Sequence, residues 1–223
     1  SNNRIYKIGC GPNAFDFEWT DEVMHYAGNK MQGISLHYYT VPGDWGHKGS
    51  ATVFTDDEYY TTIRKAYKME ELVRRHTEVM NRHDPDKHCD LIVDEWGTWH
   101  AEATVESGQR ERQTMRDAIF AAMAMHIFYR NADVVKMAMQ TQLTNLIQSL
   151  FETDGASFMR TATFWVMKLF REHKEQYLLA DAFACGAEVD AVASISEDGG
   201  KVVLTAANKD LYRESAITVC EEI

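Results

Sequence analysis

Leu91, Ile92 and Val93 form a continuous apolar run that ends abruptly in two adjacent carboxylates, Asp94 and Glu95. A run without polar alternation suits a strand covered on both faces, as in parallel sheets. Successive side chains of a strand alternate, so Asp94 and Glu95 are expected to diverge, one towards a central pocket and the other towards neighbouring structure. Trp96 and Trp99 follow, with Gly97 between them giving the backbone room to turn. Carboxylate plus indole is a common way to hold a sugar, the acid at the anomeric carbon or hydroxyls and the ring against the C–H face. A solvated strand end with two packing tryptophans is the plainer alternative.

The rest of the chain repeats this pattern. Residues 4–10 and 33–39 predict strands, and 134–139 predicts another after the central run. Between them, Thr20 predicts a helix N-cap with Asp21 and Glu22 in the first turn, where the helix dipole favours acids. Thr55 and Glu58 form a capping box that predicts one long helix over 56–82, stopped by Asp84-Pro85. Residues 112–131 are so apolar through Ile119–Met123 that this helix must be largely covered. A further helix is expected over 163–173. Beyond Tyr177 the texture becomes strand-like: 188–196 and 201–207 flank the turn signal Asp198-Gly199-Gly200, and 215–220 alternates like one more strand.

Strand and helix thus alternate four times before several consecutive strands. Such βα units imply parallel strands with right-handed crossovers, in a doubly wound sheet or in part of an eight-stranded βα barrel. No glycine-rich phosphate loop follows any strand, which weakens the first. Polar and aromatic residues gather at three successive strand ends, His37-Tyr38-Tyr39, Asp94-Glu95-Trp96 and Gln140 to Asn145, where barrel sites are built, which favours the second.

Composition narrows the partners. A formal net charge of −11 disfavours nucleic acid and anionic membrane surfaces. Four widely spaced cysteines without a CxxC pair suit a reducing compartment, so a cytoplasmic location is expected. No apolar stretch approaches the ~18–20 residues of a membrane span, and no charged-then-apolar leader opens the sequence. The nine histidines show no metal-ligand spacing, so no metal or other cofactor is expected.

The segments Ile34–Trp45 (Ile-Ser-Leu-His-Tyr-Tyr-Thr-Val-Pro-Gly-Asp-Trp) and Leu91–Trp99 (Leu-Ile-Val-Asp-Glu-Trp-Gly-Thr-Trp), in that order and separation, closely resemble the family 51 glycoside hydrolases, the retaining α-L-arabinofuranosidases. The similarity continues through Gly9–Asn13, Arg74-Arg75-His76 and Val135 to Gln142, and so covers nearly the whole chain. The resemblance implies the second half of a (β/α)8 TIM barrel over residues 1–174 and part of a β-sandwich over 175–223. It makes Glu95 the nucleophile, with Tyr39 holding its carboxylate and His37 orienting the catalytic pair. Trp99 and Trp45 would line the sugar subsite, and Gln142 would bond to arabinose hydroxyls. The substrate implied is an arabinofuranoside-containing oligosaccharide or polysaccharide.

A retaining glycosidase needs two carboxyl groups about 5–5.5 Å apart. The family's acid/base belongs to an Asn-Glu pair on the fourth barrel strand, and this sequence contains no Asn-Glu dipeptide. Its first strand corresponds to the family's fifth. The expectation is therefore a portion that carries the nucleophile and lacks the acid/base glutamate, inactive by itself. Asp16, Glu18, Asp44 and Glu102 are the loop carboxylates that could substitute. The alternative is a non-catalytic, carbohydrate-binding or scaffold half-barrel. Open strand edges predict closure by a second copy, giving a homo-oligomer, or by a complementing amino-terminal half.

Overall fold

The computed structural model describes residues 5–180 and 182–219. Four strands, β1 (Ile8–Gly9), β2 (Gly33–Thr40), β3 (Asp90–Thr98) and β4 (Val135–Ala138), make one parallel sheet in the order β1-β2-β3-β4. A doubly wound sheet reverses its strand order at a switch point, whereas a barrel adds strands in sequence. The sequential order here makes the sheet an arc of a βα barrel.

Helices α1 (Phe17–Ala27), α2 (Asp56–Ala66), α3 (Lys68–His83), α4 (Met115–Arg130) and α5 (Ala162–Phe170) connect and flank the strands. Leu36, Tyr38, Leu91, Val93 and Trp96 face them and close a core with Met69, Leu72, Phe120, Met123 and Ile127. His37 and Tyr39, alternating with Leu36 and Tyr38, point to the opposite face of the sheet.

Several expected boundaries move, each for a local reason. The strand expected over 4–10 shrinks to β1, and residue 4 lies outside the described residues. Pairing is interrupted at Gly11-Pro12, where Gly11 N–H turns to Ser35 Oγ, and resumes as a bridge between Asn13 and His37. Helix α1 starts at Phe17 rather than after Thr20, because Asp16 takes the cap, its Oδ1 accepting from Trp19 N–H at 3.0 Å. Thr20 is instead fully buried, with Oγ1 2.8 Å from His76 Nδ1. The long helix over 56–82 keeps its Thr55–Glu58 capping box but breaks at Tyr67 into α2 and α3. The break lets Tyr59, Ile63 and Ala66 on α2 and Met69, Leu72 and Val73 on α3 bury separately.

After β4 comes a hairpin absent from the sequence reading, β5 (Phe151–Asp154) and β6 (Ser157–Arg160), turning at Gly155 with φ +57°. Its Asp154-Gly155 pair is the same kind of turn signal used for residues 198–200. Next, β7 (Tyr177–Leu179), β9 (Val189–Ile195) and β10 (Val202–Asn208) form an antiparallel sheet in the order β10-β9-β7. Beside it, β8 (Phe183–Cys185) pairs with β11 (Ile217–Val219). The 189–208 hairpin and the terminal strand are as expected, while Cys220 lies outside the described residues. These strands are the β-sandwich part. They dock on α4 through Arg130, whose Nη1 lies 2.9 Å from Asp190 Oδ1, and through His126, whose Nε2 lies 3.0 Å from Thr205 Oγ1; His173, in the turn after α5, reaches the same hydroxyl at 2.9 Å.

Among the described residues no helix is long and apolar enough to cross a membrane. Cys10, Cys89 and Cys185 are free thiols.

Candidate active site

The register between β2 and β3 slips by one residue: Leu36 pairs with Val93, but His37 pairs with Glu95. Asp94 is the extra residue of a β-bulge, and a bulge resets the alternation of side chains. Asp94 and Glu95 therefore do not diverge as expected from a regular strand. Both reach the same imidazole, His37 Nε2 lying 3.1 Å from Asp94 Oδ1 and Nδ1 3.5 Å from Glu95 Oε2. Asp94 Oδ1 is buried yet accepts no hydrogen bond, so its contact with His37 is electrostatic rather than an aligned bond. The three side chains are each about a third exposed, which leaves the cluster open to a ligand.

Tyr39 donates its hydroxyl to Glu95 Oε2 at 3.4 Å and also bonds to Thr141 Oγ1. Burial, and then the negative charge of Glu95, push the Tyr39 phenol well above its ordinary pKa, so it stays protonated and remains a donor. Trp99 meets the Tyr39 ring edge-on at 5.3 Å, and Trp45 meets Trp99 at 5.7 Å. The Lys48 ammonium sits 4.6 Å from the Trp99 ring centre and 5.5 Å from that of Trp45. The structure thus brings Glu95, His37, Tyr39, Trp99 and Trp45 together. It leaves Gln142 exposed in the loop after β4, joined to none of them by a hydrogen bond.

Two details of the sequence reading change. Trp96 is fully buried against Phe128 on the helix-covered face and cannot stack on a ligand beside Glu95. Gly97 does not make a turn, because β3 runs on to Thr98. Its φ of +154° and the Gln148 side chain, within 2.8 Å of where a Cβ would stand, are what require glycine.

Gln148 belongs to a buried layer that fixes the end of β3. Its Oε1 accepts from Thr98 N–H at 2.7 Å, and Thr98 Oγ1 donates to Asp117 Oδ1 at 2.7 Å. Asp117 Oδ2 in turn accepts from Thr114 N–H at 2.6 Å, closing the capping box of α4. Beside it, Arg116 reaches His100 Nε2 at 2.6 Å, and His100 N–H donates to Glu111 Oε2 at 2.7 Å. Burial pushes the Glu111 carboxyl above the usual carboxylate range, although His100 opposes the shift. Thr114 and Asp117 carry a local signal, the Thr-x-x-Asp capping pattern before an apolar run, but Thr98, His100 and Gln148 find their partners in other segments of the chain and no local pattern marks them.

The four loop carboxylates are committed elsewhere or exposed. Asp16 caps α1, and Glu18 is exposed in its first turn. Asp44 accepts from the N–H groups of His47 and Gly46, which hold its carboxyl below the usual range and so make it a poor proton donor. Glu102 is tied to Ser50 Oγ at 2.5 Å and to Ala51 N–H. Burial raises its pKa, but those bonds outweigh burial and hold it low. Among the described residues no group of three or more His, Cys, Asp or Glu side chains is placed to hold a metal ion.

The family described as "Alpha-L-arabinofuranosidase C-terminal domain" matches residues 94–214. The chain is 35% identical to the "Intracellular exo-alpha-L-arabinofuranosidase" of Bacteroides ovatus, over 97% of its own length and 44% of the relative's. Among solved structures it matches the GH51 arabinofuranosidase from Xanthomonas axonopodis pv. citri with a TM-score of 0.83 and 32% identity, over 94% of this chain and 45% of that one. The α-L-arabinofuranosidase from Thermotoga maritima, solved as an arabinose complex, shares the fold with a TM-score of 0.72 and 23% identity, over 90% of this chain and 42% of that one. The chain thus spans a little under half the length of each of these proteins. With the half-barrel and the sandwich in place, it belongs to the α-L-arabinofuranosidases of glycoside hydrolase family 51, over their carboxyl-terminal portion.

Proposed function

We propose that this chain supplies the nucleophile of a retaining α-L-arabinofuranosidase that releases terminal arabinofuranosyl units from arabinan, arabinoxylan or arabino-oligosaccharides. The observation that carries the reading is the convergence of His37 and Tyr39 on Glu95 at the carboxyl end of β3. Glu95 attacks the anomeric carbon and forms the covalent glycosyl-enzyme, which water then hydrolyses. Tyr39 holds the attacking oxygen through its hydroxyl. His37, set between Asp94 and Glu95, fixes the direction of the carboxylate. Trp99 and Trp45 form the wall on which the furanose packs, and Gln142 meets its hydroxyls once the pocket is complete.

The acid/base comes from polypeptide outside residues 1–223. Two facts support this: the absence of an Asn-Glu pair and the engagement of Asp16, Asp44 and Glu102 in local structure. The division of labour falls at residue 174, with the barrel portion before it and the sandwich after it. Strands β1 and β4, the outer strands of the sheet, take their missing partners from an amino-terminal half-barrel, in the same chain's longer form or in a separate one. An intracellular site of action, as in the name of the Bacteroides ovatus relative, fits the free thiols.

Complementation tests this reading. The isolated chain should turn over an aryl α-L-arabinofuranoside weakly or not at all, and adding the amino-terminal barrel segment of a family member should raise the rate. Turnover by the chain alone near that of an intact enzyme would contradict it. Binding of arabinose with no chemistry under any complementation would favour a carbohydrate-binding half-barrel instead.

A further inference from the structure

His76, in the Arg74-Arg75-His76 segment of α3, takes no part in the chemistry above, yet it is fully buried and both its ring nitrogens are engaged. Nε2 lies 2.8 Å from the backbone oxygen of Ala14, and Nδ1 lies 2.8 Å from Thr20 Oγ1. A carbonyl only accepts, so Nε2 carries the proton and Nδ1 accepts from the Thr20 hydroxyl. Burial holds the imidazole below its ordinary pKa, so it stays uncharged at neutral pH. The Phe17 ring packs against it, 4.5 Å away between centres.

The residue that His76 holds is itself unusual. Ala14 has a φ of +47°, in the left-handed region, which a residue with a Cβ adopts only where its surroundings keep it there. Two bonds do so: His76 donates to the Ala14 oxygen, and the Ala14 N–H donates to the backbone oxygen of His37 at 2.8 Å. His37 N–H in turn donates to Pro12 O at 3.2 Å. Residues 12–14 thus take both backbone hydrogen bonds of His37. Strand β1 cannot supply them, because it ends at Gly9 and its pairing with β2 reaches only Ile34.

We infer that His76 is a positioning residue for attack by Glu95: through Ala14 it fixes the backbone of His37, and so the place of the His37 imidazole between Asp94 and Glu95. Its effect on rate rests on the reading of Glu95 as nucleophile, whereas its effect on His37 rests on geometry alone. Among the described residues the His76 side chain bonds only to Thr20 and Ala14, so its influence on the site passes through Ala14. Displacing a positioned group by about 1 Å can cost ~100-fold in rate, which is how a contact this far from the sugar acts on the chemistry.

Two substitutions in the full chain separate this role from packing. In His76→Gln the side-chain amide nitrogen falls near the place of Nε2 and keeps the bond to Ala14, whereas in His76→Asn it falls near Nδ1 and cannot. Both remove a buried ring, so both should lower the melting temperature. Nitrogen-15 NMR should show the wild-type His76 protonated on Nε2, and the His37 ring resonances should move in His76→Asn and remain in place in His76→Gln. With a 2,4-dinitrophenyl arabinofuranoside, whose leaving group departs without an acid, pentosyl-Glu95 should form at saturating substrate about tenfold or more slowly in His76→Asn and within about threefold of wild type in His76→Gln. The half-saturating concentration should change little. Equal rates in the two variants, a change confined to half-saturation, or a His76 protonated on Nδ1 would overturn the proposal. Absence of pentosyl-Glu95 in the wild-type chain would remove the nucleophile reading instead. The His37 resonances then decide: displacement in His76→Asn alone supports the positioning role, and no displacement in either variant overturns it.

Discussion

The imidazole of His37 stands between the carboxylates of Asp94 and Glu95, 3.1 Å from the first and 3.5 Å from the second, although the two acids are neighbours in sequence. In a regular strand they would lie on opposite faces. The one-residue slip opposite Leu36 and His37 brings both to the same side, so the candidate site depends on a backbone irregularity as much as on its side chains.

Tyr39→Phe removes one hydrogen bond to a carboxylate while keeping the ring against Trp99. A hydrogen bond to a charged group is worth roughly 1.5–3 kcal/mol, so kcat of the complemented enzyme should fall about 10- to 100-fold. KM should change little if the hydroxyl acts mainly on the nucleophile. Steady-state kinetics on an aryl arabinofuranoside would show the split; an unchanged kcat would remove Tyr39 from the site.

Gly97→Ala forces a Cβ into the Gln148 side chain at a backbone φ of +154°. Strain of this kind costs on the order of 1–3 kcal/mol, and Gln148 also holds Thr98. Urea unfolding should show a lower midpoint, and a midpoint equal to wild type would mean that β3 ends differently from the way described.

Acid should loosen the sandwich from the barrel portion. Burial pushes the His173 imidazole down, so its contribution to stability is full above its unfolded pKa of about 6.5 and is lost as pH falls below that. Burial would raise the Asp190 carboxyl, but His126 and Arg130 outweigh it and hold the carboxyl low. Its contribution is therefore full above about pH 4 and is lost as pH falls through the lower folded value. Melting temperature should drop in two stages on acidification. Asp190→Asn should remove the lower stage and cost roughly 1–3 kcal/mol at neutral pH, discounted because Arg130 is partly exposed. A pH profile unchanged by the substitution would exclude the pair as a docking contact.

Much of this architecture is written in local chemistry. The apolar run Leu91–Val93, the Thr55–Glu58 capping box and the Asp198-Gly199-Gly200 turn each act within a few residues, and each stands where the sequence places it. The bulge at Asp94 is different, because its cause is the pairing with β2, more than fifty residues earlier in the chain. His100, Glu111 and Arg116 escape for a similar reason: they are buried together where the loop after β3 meets the first turn of α4 and the Ser50-Ala51 segment, which come together only in the fold. The β5–β6 hairpin is a simpler omission, since Asp154-Gly155 announces it.

The role of Glu95 is tested most directly with an arabinofuranoside whose leaving group needs no protonation, such as the 2,4-dinitrophenyl glycoside. Such a substrate can be attacked without the missing acid, and without a base to activate water the glycosyl-enzyme should accumulate. Mass spectrometry of the digested chain should find one pentosyl group on the peptide containing Glu95, and none in the Glu95→Gln chain. A pentosyl group on another carboxylate, or none after the leaving group has been released, would contradict the assignment.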